Sequence, residues 1–551
     1  MIYKYGIDFG TTNSSIAMRF VGDDKEEHTL VVDVKDTSPR ETMPSVVLID
    51  RDGKISVGEK AINQYVQNGT NSKKQLFIKR IKLDLENEGS SLSYNVGNHF
   101  YDGVDLIAAI LKELRVKAEK MANELEIDMS GVVMGVPVQY GDIQKDVLKK
   151  ALVKAGYYEN YQEADAQTEF VSEPVAVAVH YGFNLKNDKT VMVFDFGGGT
   201  LDLAIVNLKN QIGIDRLHPH ETLAKERITL GGEELTRLFF INKFCDSHKY
   251  GTKRIASEFD FSRDLNAEQL WEKLSACEEG IRFISAVERC KCDLTYAQKY
   301  KFSFIGKNIQ IDEKTFYRDD FTEAIEEKLA EIDDLIELCL EDANITDPFD
   351  IDHVILAGGS SLIPAVQDLL RDRFGNNRVA SKITEQDAVI KSLKRIKVSE
   401  SEVLTSIVRG LAMVGCKDEA LIEDVVDSDY GYWDDRDNEF IPLIKKGTLV
   451  KDTEFDKLTK KGIYDEIECF KKNASPNQVS SVQVSIYQRN LNGVQKLGTV
   501  TIRNTGSKKY RIYMNIDRKS GMLTVTLYDG IQQRWMDEIP EEERQFTLTM
   551  Y

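Results

Sequence analysis

The sequence predicts an α/β protein made of an internally duplicated unit, followed by a smaller all-β unit. Three observations lead to this prediction. Short β-branched runs alternate with long amphipathic helical patterns to about residue 415. The motif "IDFGTTNSSIAM" at residues 7–18 is echoed by "FDFGGGTLDLAI" at residues 194–205. After residue 427, short alternating β-branched and aromatic segments separated by turn residues replace the helices.

These changes of pattern divide the chain into four predicted segments. We expect an α/β domain at residues 1–415, an acidic linker at 416–427, an all-β domain at 428–530 and a short tail at 531–551. In the helix after "VVMGVP", Asp142 is expected to serve as the N-terminal cap. Further long helices are predicted at residues 103–125, 231–248, 264–296, 319–343 and 363–374.

Composition limits the class of protein and the kind of partner. The 551 residues carry 91 acidic and 72 basic side chains, a net charge of −19, which argues against nucleic-acid and anionic-membrane partners. With no apolar run long enough for a bilayer and no signal-peptide pattern, we expect a soluble, cytoplasmic protein. The seven cysteines lack C-x-x-C spacing, so we expect reduced thiols and no zinc site.

The two echoed motifs are predicted to be hairpins that hold phosphate. An apolar strand resumes after each turn, and no P-loop pattern occurs in the chain. Glycines in both turns let the backbone approach an anion, while threonine hydroxyls donate further hydrogen bonds. Asp8 and Asp195 would repel phosphate unless a hydrated Mg²⁺ lies between them. One glycine hairpin alone is common in proteins, but a matched pair favours a phosphate site.

A third element, "HVILAGGSSLIPAVQDLLRDRFG" at residues 353–375, is predicted to be a strand, a turn with two glycines and a helix. Ser360 or Ser361 could cap the helix, and backbone amides at its start could face a ribose or phosphate oxygen. Such a junction also serves close packing on its own. Because the paired hairpins occur in the same chain, we favour the interpretation that this junction forms the nucleoside end of the site whose phosphate end the hairpins form.

These three motifs resemble the two phosphate motifs and the adenosine motif of the actin, hexokinase and seventy-kilodalton heat-shock ATPases. "FIKR", "GVPVQYGD", "SEPVAVAVHYG" and "ITLGGEELTRLFFINKF" are similar to the heat-shock branch, as are the C-terminal strands. The resemblance implies a two-lobed actin-like ATPase domain of duplicated ribonuclease-H-like units, followed by a β-sandwich substrate-binding domain. It also implies ATP or ADP with Mg²⁺ as cofactors, extended or unfolded polypeptide as ligand, and a J-domain-type cochaperone and a nucleotide exchange factor as partners.

The resemblance also implies roles for individual residues. Lys79 in "FIKR" matches the catalytic lysine, and Glu173 matches the carboxylate beside the attacking water and the metal. Pro137 and Glu173 match the switch that couples nucleotide to the second domain. The predicted catalytic residues are Lys79, Glu173, Asp195 and Thr200, and the predicted metal ligands are Asp8 and Asp195. The predicted nucleotide-binding residues are Gly10, Thr11, Thr12, Asn13, Gly197, Gly198, Gly199, Thr200, Gly231, Gly232, Glu233, Glu288, Lys291, Thr295, Gly358, Gly359 and Ser360.

The sequence departs from the family pattern at the adenine pocket. Cys292 and Leu362 stand where the family usually has two arginines that sandwich the adenine ring. Each such contact contributes about 0.5–2 kcal/mol. We therefore expect weaker or faster-exchanging ATP binding in this chain.

The C-terminal part departs further from that pattern. Val482, Val484 and Ile486 match the strand that lines the peptide cleft, although for each one core packing is the favoured interpretation. "YWDDRDNE" at 432–439 is either a solvated loop or, with Tyr432 and Trp433 as anchors, a site that favours basic segments. The linker "ALIEDVV", with Leu421, is less apolar than the family's, and no helical lid is predicted, so bound peptide should dissociate quickly.

Three functions are consistent with these observations. The first is an ATP-dependent chaperone that couples nucleotide state to polypeptide binding in a domain without a lid. The second is a nucleotide-dependent scaffold or regulator with a slow or vestigial ATPase and one dedicated protein partner. A small-molecule kinase is a third, which the C-terminal strands disfavour.

Overall fold

The computed structural model describes most of the chain. It covers residues 3–22, 27–34, 41–50, 52–68, 75–96, 99–138, 140–182, 185, 187–210, 219–246, 251–306, 309–380, 400–415, 422–434, 438–456, 459, 461–468, 481–490, 493–503, 509–517, 523–529, 534–535 and 546–550. Within these residues, no helix has both the length and the apolar character needed to cross a membrane.

The first lobe, residues 3–182, is built on a mixed sheet of order β11-β10-β1-β2-β3, with β4 also paired to β2. Its strands are β1 (Tyr3–Phe9), β2 (Asn13–Val21), β3 (Glu27–Val31), β4 (Met43–Pro44), β5 (Val47–Ile49), β6 (Ile55–Val57), β7 (Leu76–Ile78), β8 (Ser93–Val96), β9 (His99–Asp102), β10 (Met129–Val136) and β11 (Thr168–Ser172). Its helices are α1 (Gly58–Asn68), α2 (Ile81–Glu88), α3 (Gly103–Glu124), α4 (Asp142–Ala155), α5 (Tyr161–Gln167) and α6 (Glu173–Gly182).

The second lobe, residues 189–380, repeats this plan on a sheet of order β18-β17-β12-β13-β14. Its strands are β12 (Lys189–Phe196), β13 (Leu201–Leu208), β14 (His220–Ile228), β15 (Lys299–Ile305), β16 (Gln310–Tyr317), β17 (His353–Ala357) and β18 (Val379–Ala380). Its helices are α7 (Gly232–Phe239), α8 (Gly251–Glu258), α9 (Ala267–Ser275), α10 (Glu278–Tyr296), α11 (Arg318–Ala324), α12 (Glu326–Asp342) and α13 (Pro364–Phe374), and α14 (Glu400–Val414) follows this lobe.

The duplication predicted from the motifs is visible in these two sheets. In each lobe the first strand pairs antiparallel with the second and parallel with a later one, as β1 does with β2 and β10. Strand β12 pairs in the same way with β13 and β17. Because each turn joins two paired strands, both echoed motifs are hairpins, as predicted.

Helices α6 and α14 cross between the two sheets. Buried side chains from both helices and from both sheets form one core, including Val133, Val177, Val193 and Leu411. The helices approach closely because position 410 is glycine: a Cβ atom there would lie 1.8 Å from the carbonyl oxygen of Ala176. The two lobes therefore share a packed centre.

Two further sheets form the C-terminal part, one of order β21-β20-β23-β24-β28 and one of order β22-β25-β26-β27. Tyr430 and Ile486 from the first sheet and Ile512 from the second belong to one buried cluster, so the sheets pack around a common core. Strand β19 (Ile422–Glu423) precedes these sheets and belongs to neither of them. Their strands are β20 (Asp429–Asp434), β21 (Glu439–Ile444), β22 (Ile463–Glu468), β23 (Ser481–Asn490), β24 (Gly493–Arg503), β25 (Lys509–Ile516), β26 (Leu523–Asp529), β27 (Arg534–Trp535) and β28 (Phe546–Met550).

We call these two sheets, from Asp429 onward, the β unit. Strands β27 and β28 come from the predicted tail at residues 531–551, yet they pair with β26 and β24. The structure thus extends the β unit beyond the predicted boundary at residue 530.

The first described residues of the predicted linker, 422–424, lie against the second lobe. Strand β19 pairs in parallel with the start of β14, so it becomes the edge strand of that sheet. The buried ammonium group of Lys225 pairs with Asp424 at 2.9 Å. Residues 416–421 of the predicted linker, including Leu421, lie outside the described residues.

The β unit contacts both lobes through charged groups. Asp142 does not cap α4, which is preceded by Gly141. Its carboxylate instead accepts hydrogen bonds from the backbone amide of Leu523 at 3.0 and 3.2 Å. Lys446 pairs with Asp342 at 2.7 Å and with the buried Glu226. The expected cap is therefore a contact between the first lobe and the β unit.

The helix crossing can be tested with Gly410→Ala. Because the added methyl group would overlap the backbone of α6, we expect the free energy of unfolding to fall by about 2–3 kcal/mol. Urea unfolding followed by circular dichroism measures the change. As a control, Gly447→Ala adds a methyl group into open space at a φ of +82°, so only about 1 kcal/mol of backbone strain is expected. A Gly410→Ala protein as stable as the wild type would contradict the close crossing.

Candidate functional site

The two glycine turns face each other across the gap between the lobes. A Cβ atom on Gly198 would lie 1.8 Å from the hydroxyl of Thr12, and one on Gly199 would lie 2.9 Å from the side chain of Thr11. Glycine is therefore required in the second turn because the first turn occupies the space. The structure brings together the two motifs that were predicted to hold phosphate.

A cavity lies between these turns. Its volume is about 100 Å³, well below the roughly 300–1,000 Å³ of pockets for drug-sized ligands. The cavity thus corresponds to the phosphate and metal end of the predicted site. It is lined by Asp8, Gly10, Thr11, Thr12, Asn13, Thr42, Lys82, Glu173, Asp195, Gly197, Gly198, Thr200, Gly358, Gly359, Val403, Leu404 and Ile407.

Three buried carboxylates converge on this cavity from different elements. Asp8 and Asp195 are the penultimate residues of β1 and β12, and Glu173 begins α6, where Pro174 suits the first helical turn. Burial, and then the charge of Glu173, raise the pKa of Asp8 to about 7. The same two causes, in that order, raise the pKa of Asp195 well above its usual value. The protein therefore concentrates carboxyl groups where solvent cannot screen their charges, and this favours the neutral forms of Asp8 and Asp195.

Lys82 supplies the positive charge at this cavity. Its ammonium group donates to Glu173 at 2.5 Å, and both side chains are buried. Burial opposes the charge of Lys82, but Glu173 and Asp8 outweigh burial and raise its pKa. Lys82 thus remains protonated beside the carboxylates.

Lys79, the predicted catalytic lysine, does not line this cavity. Its charge interacts with Glu288 and Glu233, and burial lowers its pKa in spite of them. Arg80 beside it pairs with Glu233 at 3.0 Å. Lys79 precedes α2, whereas Lys82 lies in the first turn of that helix and faces the cavity. Lys82 therefore lines the cavity and Lys79 does not, while the catalytic role of Lys79 stays a prediction.

The predicted loop of the second lobe closes over the second glycine turn. The backbone amides of Gly232 and Glu233 donate to the carbonyls of Gly197 and Gly198 at 3.0 and 2.9 Å. A Cβ atom on Gly231 would lie 2.3 Å from the Gly198 backbone. These contacts fix the turn from the side opposite the first lobe.

The third predicted element meets the same turn. The hydroxyl of Ser360 donates to the carbonyl of Gly197 at 2.8 Å. Gly358 has a φ of +72°, and a Cβ atom there would lie 2.5 Å from the backbone of Phe196. Strand β17, the glycine pair and α13 therefore form the predicted junction, although Ile363 rather than a serine occupies the cap position of α13.

Three of the predicted nucleotide-binding residues, Glu288, Lys291 and Thr295, lie on α10, outside the cavity. Lys291 donates to the carbonyl of Gly232 at 2.6 Å, and its ammonium group lies 3.9 Å from Glu288. Thr295 donates to the carbonyl of Lys291 at 3.4 Å. Lys291 thus connects α10 to the loop over the glycine turn.

The two residues that depart from the family pattern lie on different elements of the second lobe. Cys292 is exposed on α10. Leu362 is half-buried against the core of the second lobe. The expectation of weaker ATP binding stays a prediction.

The predicted switch residue Pro137 directly follows β10. Its carbonyl accepts a hydrogen bond from the amide of Tyr140 at 3.2 Å. The hydroxyl of Tyr140 donates to the carbonyl of Lys82 at 3.1 Å, and Lys82 pairs with Glu173. The two predicted switch residues are therefore connected through Tyr140 and Lys82.

Sequence reasoning missed several residues of this region. Lys82 lies one helical turn beyond Lys79, and Asp202 is the second acid of "FDFGGGTLDLAI", where it looked like an ordinary strand residue. Burial, opposed chiefly by Arg227, raises the pKa of Asp202 to about 6. Leu404 and Ile407 of α14 form an apolar wall that no local motif marks.

Two predictions for the β unit concern which side chains are free to contact a ligand. Val484 and Ile486 lie in its core, in agreement with the favoured interpretation, whereas the side chain of Val482 is outside what the structure describes. Tyr432 is also buried in that core, and its hydroxyl donates to Asp465 at 2.8 Å. The prediction of Tyr432 as a ligand anchor is therefore wrong, because strand alternation turns it inward.

Trp433, the other predicted anchor, points to the opposite face of its strand. Its ring lies 5.7 Å from the ring of Tyr487. Residues 435–437 of the predicted charged loop lie outside the described residues. Trp433 thus remains the anchor candidate of the two.

The donor set at the cavity fits a magnesium ion. Carboxylate oxygens are the ligands that Mg²⁺ prefers, and a cation would favour the charged forms of Asp8 and Asp195. In the described part of the chain, no three acidic, histidine or cysteine side chains form a metal-binding group. An ion that takes few protein ligands and keeps its waters suits this arrangement.

Comparison with known proteins agrees with the resemblance seen in the motifs. Chaperone protein dnaK1 of Prochlorococcus marinus subsp. pastoris is 28% identical over 396 residues, which are 67% of this chain and 52% of that protein. The stromal 70 kDa heat shock-related protein, chloroplastic, of Pisum sativum is 28% identical over 396 residues, 68% of this chain and 50% of that protein. The chain thus spans about half the length of these two relatives.

Another relative matches almost the whole chain. Chaperone protein DnaK of Carsonella ruddii is 26% identical over 550 residues, 96% of this chain and 82% of that protein. A family model described as Hsp70 protein matches residues 4–393, which contain both glycine turns, the buried carboxylates and the third element. Since that match covers more than half of the sequence, the chain belongs to the Hsp70 family.

Proposed function

We propose that this protein is a magnesium-dependent ATPase that couples nucleotide state to the binding of extended polypeptide by its β unit. The observation that carries the proposal is the meeting of two glycine turns, three buried carboxylates and one lysine at a single cavity. Phosphoryl transfer needs mainly positioning and electrostatic stabilisation, and these groups can supply both.

Within this proposal each group has a defined task. Backbone amides and hydroxyls of the two turns bind phosphate oxygens, while Asp8 and Asp195 hold a hydrated Mg²⁺, which offsets phosphate charge when it is bound. Glu173 orients the attacking water. Lys82, held by Glu173, stabilises negative charge that develops on the γ-phosphate. Lys79 then serves the outer part of the cleft, near Glu233 and Glu288.

The contacts of the lobes with the linker and with the β unit support coupling. Asp142 with Leu523, Lys225 with Asp424, and Lys446 with Glu226 all join parts of the chain that are far apart in sequence. As ligands and partners we propose unfolded polypeptide, a J-domain-type cochaperone and a nucleotide exchange factor, in the cytoplasm. A helical lid is not part of the proposal.

The second candidate is a scaffold or regulator whose ATPase is slow and whose β unit binds one protein. The apolar wall of Leu404 and Ile407 beside the carboxylates favours it, because apolar groups cannot stabilise developing charge. Peptide-stimulated hydrolysis would favour the chaperone, whereas hydrolysis indifferent to unfolded protein would favour the scaffold.

The two lysines provide a matched test of the ATPase. Lys82→Met is expected to reduce single-turnover ATP hydrolysis at least about a hundredfold, because it removes a preorganised charge from the cavity. Lys79→Met is expected to stay within about fivefold of the wild type, since Lys79 lies outside the cavity. Rapid-quench measurement of ADP formation gives both rates.

Because Lys82 is part of a buried ion pair, its variant also needs a check of folding and of nucleotide binding by calorimetry. Loss of hydrolysis in Lys79→Met, with Lys82→Met active, would restore the assignment made from the sequence. Absence of hydrolysis by the wild type would refute the ATPase.

The buried carboxylates predict proton release when magnesium binds. At pH 6.5, the raised pKa of Asp8, about 7, leaves this carboxyl group largely protonated, and a cation must displace its proton. Calorimetry of Mg²⁺ binding to the ADP-bound protein, in buffers of different ionisation enthalpy, should detect up to about one proton released. The number of protons released on Mg²⁺ binding should be smaller in Asp8→Asn, and also in the wild type at pH 9, where Asp8 is already ionised. Binding without proton release at pH 6.5 would contradict this metal site.

The adenine pocket gives a gain-of-function test. Cys292→Arg and Leu362→Arg together should tighten ATP binding by at least about fivefold, because each guanidinium can stack on the adenine ring. Isothermal titration with ATP and with inorganic triphosphate separates stacking from general attraction. Ser285→Arg, on an exposed position of the same helix, controls for added charge. Equal gains in the control would refute the adenine sandwich.

A further inference from the structure

Arg227 is a buried arginine between the two lobes. It lies on β14, and its Nη1 donates to the carbonyl of Val138 at 3.3 Å. Its Nε lies 3.5 Å from Oδ1 of Asp202, and its Nη2 donates to Glu86. One guanidinium group thus has three partners.

These partners belong to both lobes. Glu86 on α2 and Val138 after β10 belong to the first lobe, whereas Asp202 on β13 and Arg227 itself belong to the second. Asp202 adds a second link, because it accepts a hydrogen bond from the amide of Val138 at 2.9 Å. The lobes are therefore tied together beneath the glycine turns.

This link is continuous with the nucleotide cavity. Glu86 is one helical turn from Lys82 on α2, so the two side chains lie on neighbouring positions of one helix face. The carbonyl of Glu86 accepts from Gln144 at 3.2 Å, and the carbonyl of Lys82 accepts from Tyr140 at 3.1 Å. Movement of α2 would therefore act on Lys82 and on Arg227 together.

The same link reaches the β unit. Arg227, Glu86, Tyr140 and Gln144 line a polar cavity of about 410 Å³. Its opposite wall is the start of β24, at Gly493, Val494 and Gln495. The start of β24 thus lies across this cavity from the arginine that joins the lobes.

We propose that Arg227 is a positioning residue that couples the angle between the lobes to the seating of the start of β24 against them. A buried charge that loses its partners is strongly destabilising. If the lobes rotate so that Glu86 separates from Asp202, the guanidinium must find a new arrangement of partners. That rearrangement changes the cavity wall that faces residues 493–495. The nucleotide-dependent part of this inference rests on the proposed function.

Arginine suits this place better than lysine would. Its planar group presents five donors in a fixed fork, so it can bind two carboxylates and a carbonyl at the same time. A lysine ammonium is a compact point charge on a flexible stem and cannot span the same three partners. The conservative substitution therefore separates geometry from charge.

Hydrogen exchange of residues 493–503, with and without ATP and Mg²⁺, tests the coupling. In Arg227→Met we expect exchange at 493–495 to be at least tenfold faster without nucleotide, and the change on adding nucleotide to disappear. We expect Arg227→Lys to show the same faster exchange and the same loss of response to nucleotide, although lysine keeps the positive charge. Arg237→Met is the control, because Arg237 pairs with Glu234 and Glu268 inside the second lobe. In this variant the amides of residues 493–495 should exchange as they do in the wild type.

Unchanged exchange at 493–495 in a folded Arg227→Met protein would overturn the proposal. If that variant does not fold, Glu86→Gln provides the test. It removes the ion pair between Glu86 and Arg227 and should still accelerate exchange at 493–495 at least threefold. Faster exchange throughout the chain, and not chiefly at 493–495, would indicate a merely structural role and would also overturn it. A wild type without any response to nucleotide would contradict the proposed function, while the nucleotide-free comparison still decides the role of Arg227.

Discussion

The close crossing of α6 and α14 is the constraint on which the rest of the structure depends. Gly410 allows a helix backbone to lie against the carbonyl of Ala176, and both sheets pack onto this pair. The same two helices carry residues of the candidate site: Glu173 begins α6, while Leu404 and Ile407 lie on α14. Packing and chemistry therefore share one centre, so a change in the crossing must reach the cavity.

Electrostatics explains why this centre needs ligands and internal cations. Asp8, Glu173, Asp195 and Asp202 are all buried within a short span, and burial raises the pKa of three of them, Asp8, Asp195 and Asp202. Such a group of like charges is destabilising unless cations or protons balance it. Lys82 and Arg227 supply part of the balance from the protein itself. A divalent cation is suited to supply the remainder.

The sequence predicted those features that depend on short segments. Both hairpins and the strand, glycine pair and helix at 353–375 follow local rules, because turn glycines and strand alternation occupy adjacent positions. Contacts between segments that are distant in the sequence were harder to predict. Lys79 and Lys82 are both lysines near one helix start, and only burial against Glu173 distinguishes them. The helix predicted at 264–296 is interrupted between α9 and α10, where Gly280 approaches the backbone of Leu274. Asp142 does not cap its helix, and its actual partner, the backbone amide of Leu523, could not be predicted from the sequence because it is 381 residues away.

The pairing of β19 with β14 has a consequence for solubility. A strand at the edge of a sheet carries a row of backbone donors and acceptors that can pair with another chain. While Ile422–Glu423 lies along His220–Glu221, that stretch of the β14 edge is covered by the protein's own backbone. If the linker leaves, the sheet gains an open edge in the second lobe, a template for β-augmentation by a foreign strand. By covering this edge, the short linker strand thus also prevents self-association through it.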